Sequence, residues 1–388
     1  MERRESGGEG RVRSVAVIGG GIIGLSIAIA ARRGGADVLL LEEERIGGGA
    51  SAAASGIVTL SQQGRTALRQ LRREGALAWE RWLPDLPSID GAPVGVLRPA
   101  VRLFREPPPH AEKLLATWRR AGHDARYVER DEIAARVPGL DPVTVHCGLL
   151  LDREWIFDPP RLLRSLARQA RELGVEVREE IGGVRLRGGE GERTTARSAE
   201  RGGADLAEGA EVIVVAGGWR SGRLLEPLGL PPLPLVPVGG VGLVLDLPRS
   251  AEGWTAHFGE KGRFHRVGRA GARVYLGSTL REEGSLEPGA PAEHRQLLDE
   301  ARRHFPEIDR ARLVTVEDGL RPKTTVRGGP LVGPVTGRPG LWVATGHYRV
   351  GLAAAPATAE SLCSAWGLRE PGEAPPAAFA VDRSGPLD

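Results

Sequence analysis

What this chain lacks narrows its identity first. Only two cysteines occur in 388 residues, Cys147 and Cys363, far apart and without ligand-type partners at metal spacing. Neither a disulfide framework nor a zinc site is indicated, and buried packing is the expected role of both thiols. No apolar run reaches the roughly 18 residues that a membrane-crossing helix needs, so no membrane partner is expected. The opening, residues 1–13, is charged and glycine-rich, with no apolar core or small-residue cleavage site. It reads as a disordered lead and not as a targeting signal, which makes a cytoplasmic location the expectation. Lysine is nearly absent, with Lys113, Lys261 and Lys323 alone, so the positive charge is carried by arginine. The 53 basic and 50 acidic residues are interspersed and leave a net charge of +3. A pI near 9.2 from so small an excess, with no basic and aromatic cluster, points away from a nucleic-acid partner.

What is present is organised around residues 14–42. An apolar run, Val15-Ala16-Val17-Ile18, leads into Gly19-Gly20-Gly21-Ile22-Ile23-Gly24, then a stretch of helix formers to Arg33, a second apolar run, Val38-Leu39-Leu40-Leu41, and Glu42. This is strand, glycine turn, helix, strand, acid. In such a unit Gly19 permits the tight turn, Gly21 lets backbone approach a pyrophosphate, and Gly24 lets helix and strand pack closely. The phosphates then face the positive end of the helix, and Glu42 is placed to accept from ribose hydroxyls. Glycine turns are common in a chain with 55 Gly; it is the flanking strands, helix and acid that carry the dinucleotide reading.

A second glycine-rich segment follows, Ile46-Gly47-Gly48-Gly49-Ala50-Ser51, then Ala52-Ala53-Ala54-Ser55-Gly56. A nicotinamide enzyme has no evident use for this loop, whereas a longer flavin cofactor does, since backbone N–H groups can wrap its pyrophosphate and ribitol. The order Gly19-x-Gly21-x-x-Gly24, Glu42, Gly47-Gly48-Gly49-x-Ser51 resembles the D-amino-acid oxidase family of FAD-dependent oxidoreductases.

The rest of the chain alternates between two kinds of pattern. Residues 65–83 read as a helix in which Trp79 and Trp82 are core residues rather than cofactor stacks. Gly95 to Arg98 and Val101 to Phe104 read as two strands about a Pro99 turn, with helices over 111–121 and 131–136. Leu162, Leu163, Leu166, Ala167, Ala170 and Leu173 form one apolar stripe ended by Gly174. Val175-Glu176-Val177 is a short strand, residues 185–209 a hairpin, and Glu211 to Ala216 a strand running into Gly217-Gly218-Trp219. Residues 227–237 read as a linker, and strands without intervening helices over 240–278 predict a largely antiparallel sheet. A helix over 291–305 and a strand at 313–316 follow. The fold expected is α/β plus α+β, with a discontinuous Rossmann-like FAD-binding domain (14–90, 143–226 and 318–388) and a smaller substrate domain on an antiparallel sheet (91–142 and 227–317).

The most specific text lies near the C-terminus: Gly319-Leu320-Arg321-Pro322, Gly329 to Pro334, and Leu341 to Gly351 containing Gly346-His347-Tyr348-Arg349-Val350-Gly351, then Ala355-Pro356-Ala357-Thr358. Arg321 is read as following a strand, Arg349 as sitting in a glycine-bracketed turn. A final helix over about 355–366 would point its N-terminus at that turn, where its dipole favours negative charge on a flavin. Two guanidinium forks so held suit one substrate carboxylate. The motif order is especially similar to the glycine oxidase branch, associated with thiamine biosynthesis, over Val15 to about Ala365.

The resemblance implies noncovalent FAD bound by Gly19, Gly21, Ile22, Ile23, Gly24, Glu42 and Glu43, and by Gly49, Ala50, Ser51, Ala54 and Gly56. It further implies Val177 at the adenine, Ala216, Gly217 and Trp219 beside the cofactor, and Gly346, His347, Tyr348, Val350, Gly351 and Leu352 along the flavin. Arg321 and Arg349 would bind the substrate carboxylate while also touching the flavin. His265 stands where glycine oxidases tend to carry a carboxylate-binding tyrosine; it is either a substituted donor or a strand histidine with no role. The implied reaction is oxidation of glycine, sarcosine or a small D-amino acid to its imine by hydride transfer to flavin N5, without a general base. O₂ is the expected acceptor and a quinone or other acceptor the alternative; a homo-oligomer is left open. No metal is expected. The competing readings are a nicotinamide-dependent dehydrogenase and a flavin-dependent tRNA-modifying domain or nucleic-acid binder.

Overall fold

The computed structural model describes residues 11–59, 66–199, 203–248, 253–258, 264–269, 271–369 and 375–382. Of the expected disordered lead, residues 1–10 lie outside the described residues. Val12, just beyond them, donates its N–H to the Trp366 carbonyl at 3.0 Å.

Among the described residues two large sheets meet, with a separate two-stranded ladder of Val184–Arg187 and Thr195–Ser198. The first has six strands in the order Leu331–Pro334, Leu341–Thr345, Val212–Val215, Ser14–Ile18, Asp37–Leu41, Glu176–Arg178. All neighbours run parallel except Leu331–Pro334 at one edge, which pairs antiparallel with Leu341–Thr345. Both faces of the sheet are covered, which is why its strands read as unbroken apolar runs rather than alternating ones. Val15 and Val17 face a core shared with the helices Ile22–Arg33, Ala67–Trp82, Pro159–Glu172 and Gly351–Ala365. Ala16 and Ile18 face the opposite core, with Leu186, Ala196 and Ile213.

The second sheet has nine strands, running Arg312–Thr324, Leu235–Asp246, Arg273–Gly277, Phe264–Gly268, Thr255–Phe258, Gly95–Phe104, Cys147–Phe157, Ile57–Val58, with Ala125–Glu129 also paired to Cys147–Phe157. Its pairs are antiparallel apart from Thr255–Phe258 against Gly95–Phe104. This is the mixed α/β architecture expected, a Rossmann-like layer beside a largely antiparallel sheet.

Several local expectations change. The two strands about Pro99 are one ten-residue strand, Gly95–Phe104, whose register slips between Arg98 and Ala100. Proline cannot donate to the ladder, and a bulge absorbs it without turning the chain. Cys147–Phe157 pairs within the nine-stranded sheet although it follows residue 143, so the chain rejoins the six-stranded layer only at the helix Pro159–Glu172. Arg321 does not follow a strand: Arg312–Thr324 is continuous, with Arg321 opposite Val238. The linker ends earlier than expected, since Leu235 already pairs with Thr324.

The last helix starts at Gly351, about one turn before the expected position, and takes Pro356 into its body. Proline has no N–H for the carbonyl four residues back. That carbonyl, of Leu352, accepts instead from Trp79 Nε1 at 2.8 Å. Trp79, fully buried, therefore repairs the proline gap while packing in the core.

Candidate active site

A cavity of about 970 Å³ opens at the C-terminal ends of the parallel strands and continues between the two sheets. Its floor is the glycine turn. Gly19 has φ +114°, and a Cβ there would lie 2.6 Å from the Ala216 carbonyl oxygen. A Cβ on Gly24 would meet the Gly19 oxygen at 1.8 Å, so the helix rests directly on the turn. The helix N-terminus at Gly21 has no side-chain cap and no acid in its first turn, while Ile22 N–H donates to Ser51 Oγ of the second glycine loop at 3.0 Å. Glu42 accepts from the N–H of Gly20 at 2.6 Å and from that of Glu44 at 3.1 Å. A helix end with no acid in its first turn, tightly packed glycines and a second loop tied to it through Ser51 fit the pyrophosphate of an extended dinucleotide.

Most residues singled out in the sequence meet here. Gly19, Gly21, Ile22 and Ile23 line the cavity with Glu42 and Glu43, and so do Gly49, Ala50, Ser51, Ala54 and Gly56 of the second loop. Ala216, Gly217 and Trp219 form one wall, and His347, Tyr348, Arg349, Val350, Gly351 and Leu352 another. His265 and Arg321 enter from the nine-stranded sheet. Three residues do not line it. Gly24 is packed beneath the turn, and Val177 lies on the edge strand, where Gly183 and Val184 line that end of the cavity. Gly346, with φ +78°, lets the chain pass Thr324, whose Cγ2 a Cβ would meet at 2.5 Å.

The two arginines are held differently. Arg321 projects from its strand and donates to the Gly239 carbonyl and to Ser278 Oγ, each at 3.2 Å. Burial pulls its pKa below the ordinary value; the Tyr275 hydroxyl opposes this and Arg349 adds to it. Arg349 is exposed to the cavity, in the 3₁₀ turn Tyr348–Val350. A lone β-bridge between Lys323 and His347 brings the two segments side by side. A second cavity, of about 860 Å³, meets the first at Ser278, Arg321 and Arg349, so the pair stands at the junction of both.

Sequence reasoning missed a polar group in the same wall. Glu154, 2% exposed, accepts from Thr59 Oγ1 at 2.6 Å and contacts His257 Nε2 at 2.9 Å. His257 Nδ1 lies 2.9 Å from His265 Nδ1. Arg72 and Arg102 also line the cavity, each with a buried Nε that lacks a partner, and burial depresses both guanidinium pKa values. Glu154 stands beside Asp152 and Arg153, just before the apolar run Trp155-Ile156-Phe157, so nothing local marks it out; only the folded sheet could pair it with a histidine 103 residues away.

The site is a dinucleotide cradle joined to a cationic recess. Residues 14–365 match the family model described as FAD dependent oxidoreductase, DAO. The chain belongs to this family. It is similar to glycine oxidase of Pseudomonas aeruginosa, 35% identical over 220 residues, a match that spans 55% of this chain and only 56% of that protein. Similarity to glycine oxidase of Geobacillus kaustophilus is 26% over 363 residues, 89% of this chain and 90% of that one. The crystal structure of glycine oxidase from Geobacillus kaustophilus superposes with a TM-score of 0.80 at 25% identity, covering 97% of this chain and 100% of that chain. Iminodiacetate oxidase from Chelativorans shares the fold, with a TM-score of 0.82 at 22% identity over 95% of this chain and 98% of that one.

Proposed function

We propose that this protein oxidises a small amino acid, glycine, sarcosine or a small D-amino acid, to its imine, with noncovalently held FAD and O₂ as acceptor. The observation that carries the reading is the convergence of Arg321 and Arg349 on the cavity that the glycine turn also lines. FAD, when bound, supplies a two-electron acceptor for the hydride of the substrate Cα–H. Gly19, Gly21, the helix end at Ile22, Glu42 and the loop 49–56 would hold its nucleotide part, and the 347–352 turn its ring system.

The chain's own residues orient the substrate. Arg321, pre-fixed by Gly239 and Ser278, and the exposed fork of Arg349 offer paired donors to one carboxylate. Orientation of this kind, with the reacting carbon held within about 3–3.5 Å of its acceptor, accounts for much of the barrier reduction in such reactions. Noncovalent attachment is in keeping with the sequence, which has no cysteine in residues 321–333 and no histidine in residues 47–56; Cys147 and Cys363 are buried in the cores.

The test is a substrate panel of glycine, sarcosine and D-alanine with the FAD-loaded protein, peroxide being read with a coupled peroxidase. Peroxide formation with at least one of them, and a half-saturating concentration raised about 30-fold or more in Arg321→Met through loss of a charge-assisted contact, is the expected result. Dye reduction without peroxide would make the enzyme a dehydrogenase. No turnover with any of the three, with O₂ or dye, overturns the proposal.

A further inference from the structure

We infer that Glu154, His257 and His265 form a proton relay that draws the proton from the ammonium group of the bound amino acid. The inference rests on the reading above, that an amino acid occupies the cavity, and it supplies the base that the sequence did not reveal.

The hydrogen-bond contacts lay out the path of the proton. Glu154 takes the Thr59 hydroxyl on Oε1 at 2.6 Å and His257 Nε2 on Oε2 at 2.9 Å. Burial alone would raise its pKa, but the pairing with His257, the Thr59 hydrogen bond and Arg102 outweigh it and hold the carboxyl below its ordinary range. An ionised carboxylate can only accept, so His257 Nε2 carries a hydrogen. In the resting state of the relay His257 holds that one hydrogen and presents a bare Nδ1. The 2.9 Å contact with His265 Nδ1 is a hydrogen bond only if one nitrogen donates, so the hydrogen sits on His265 Nδ1. His265 Nε2 is left as a lone pair on a ring that lines the cavity, and among the described residues it has no partner. In this state His265 cannot donate to a substrate carboxylate, the role the tyrosine alignment implied; it is suited to the ammonium end.

Cations face the same space from other elements, Arg321 on the strand Arg312–Thr324 and three more. The three are Arg72 from the helix Ala67–Trp82, Arg102 from the strand Gly95–Phe104, and Arg349 from the turn before the last helix. They disfavour a bound ammonium ion and equally a protonated His265, whose pKa burial, His257, Arg349 and Arg102 push well below the ordinary value. His265 therefore passes the proton on. One N–H bond of the ammonium breaks, its electron pair staying on nitrogen, and an H–Nε2 bond forms on His265. The Nδ1–H bond of His265 breaks as an H–Nδ1 bond forms on His257. The single positive charge ends on His257 against the Glu154 carboxylate, and the amine keeps the lone pair that C=N formation requires. His265 is the catalytic residue here; His257 and Glu154 act through it as positioning residues.

The experiment is anaerobic rapid-mixing reduction of the FAD-loaded protein by glycine, sarcosine and D-alanine from pH 6 to pH 10, in wild type, Glu154→Gln, His257→Asn and His265→Gln. Flavin content and the far-UV spectrum identify any variant that fails to fold, and the two other substitutions then carry the test. The relay predicts reduction slowed by about 10²-fold or more at pH 7, the deficit shrinking about tenfold per pH unit and vanishing as the free amine becomes abundant. Independently of turnover, ¹⁵N NMR of the histidine rings at pH 8 should show His265 protonated on Nδ1 and bare on Nε2. A deficit equal at every pH, or His265 protonated on Nε2 in wild type, overturns the relay alone. Wild-type protein that no amino acid bleaches at any pH overturns the amino-acid reading, and the relay with it.

Discussion

Acidification should weaken the native state through His347 by an amount that can be isolated. The ring is 3% exposed, its Nε2 lies 3.0 Å from Thr358 Oγ1, and its Nδ1 is buried without a partner. Burial pushes its pKa from the ordinary 6.5 down to about 3. Between those values the unfolded chain holds a proton on this ring and the native protein does not. Stability is therefore fully present above the unfolded pKa and declines as pH falls towards the native one. At about 1.4 kcal/mol per unit, the loss reaches roughly 2 kcal/mol at pH 5 and would approach about 5 kcal/mol near the native pKa. His265 and His304 are depressed in the same direction, so the wild-type trend alone does not single out His347. His347→Asn can keep a hydrogen bond to Thr358 and cannot titrate. Urea unfolding of both proteins at pH 5 and pH 8 gives a difference of differences in which the other groups cancel. The variant should lose about 2 kcal/mol less than wild type on going to pH 5; an identical loss in the two proteins would refute the buried, neutral state of this ring.

Two further substitutions probe the frame of the site. Gly24→Ala places a methyl group 1.8 Å from the Gly19 carbonyl oxygen, so the turn must move. The variant should release flavin on dilution, read by fluorescence, whereas Gly222→Ala, with nothing within 4 Å of its new Cβ, should retain it. Trp79→Phe keeps the ring in the core but removes the indole N–H that the Leu352 carbonyl accepts from beside Pro356. A loss of about 1–3 kcal/mol in chemical unfolding is expected, and an unchanged midpoint would show that another donor satisfies that carbonyl.

The dinucleotide unit was legible because its signals are local. Gly19 to Gly24, the helix to Arg33 and Glu42 lie within one strand–turn–helix–strand unit, and each residue type is required by backbone geometry at its own position. The arginine pair was legible because unusual text surrounds both residues, Arg321 before Pro322 in its strand and Arg349 in its turn. Boundaries failed where tertiary context decided them. Pairing with Cys147–Phe157 both before and after Pro99 makes Gly95–Phe104 one strand, and Trp79, far away in sequence, lets the last helix contain Pro356. Glu154, His257 and His265 were illegible as a group for the same reason. The three lie on strands whose adjacency is set by sheet order, and no spacing rule links residues 154, 257 and 265.

The account stands or falls on whether one cavity holds a flavin and an amino acid together. Purified protein should be yellow, and anaerobic addition of glycine, sarcosine or D-alanine to it should bleach the flavin bands for at least one of the three, with Arg321→Met needing far more of that compound for the same bleaching. A yellow protein whose flavin none of the three reduces, or a colourless one that added FAD does not restore, would contradict it.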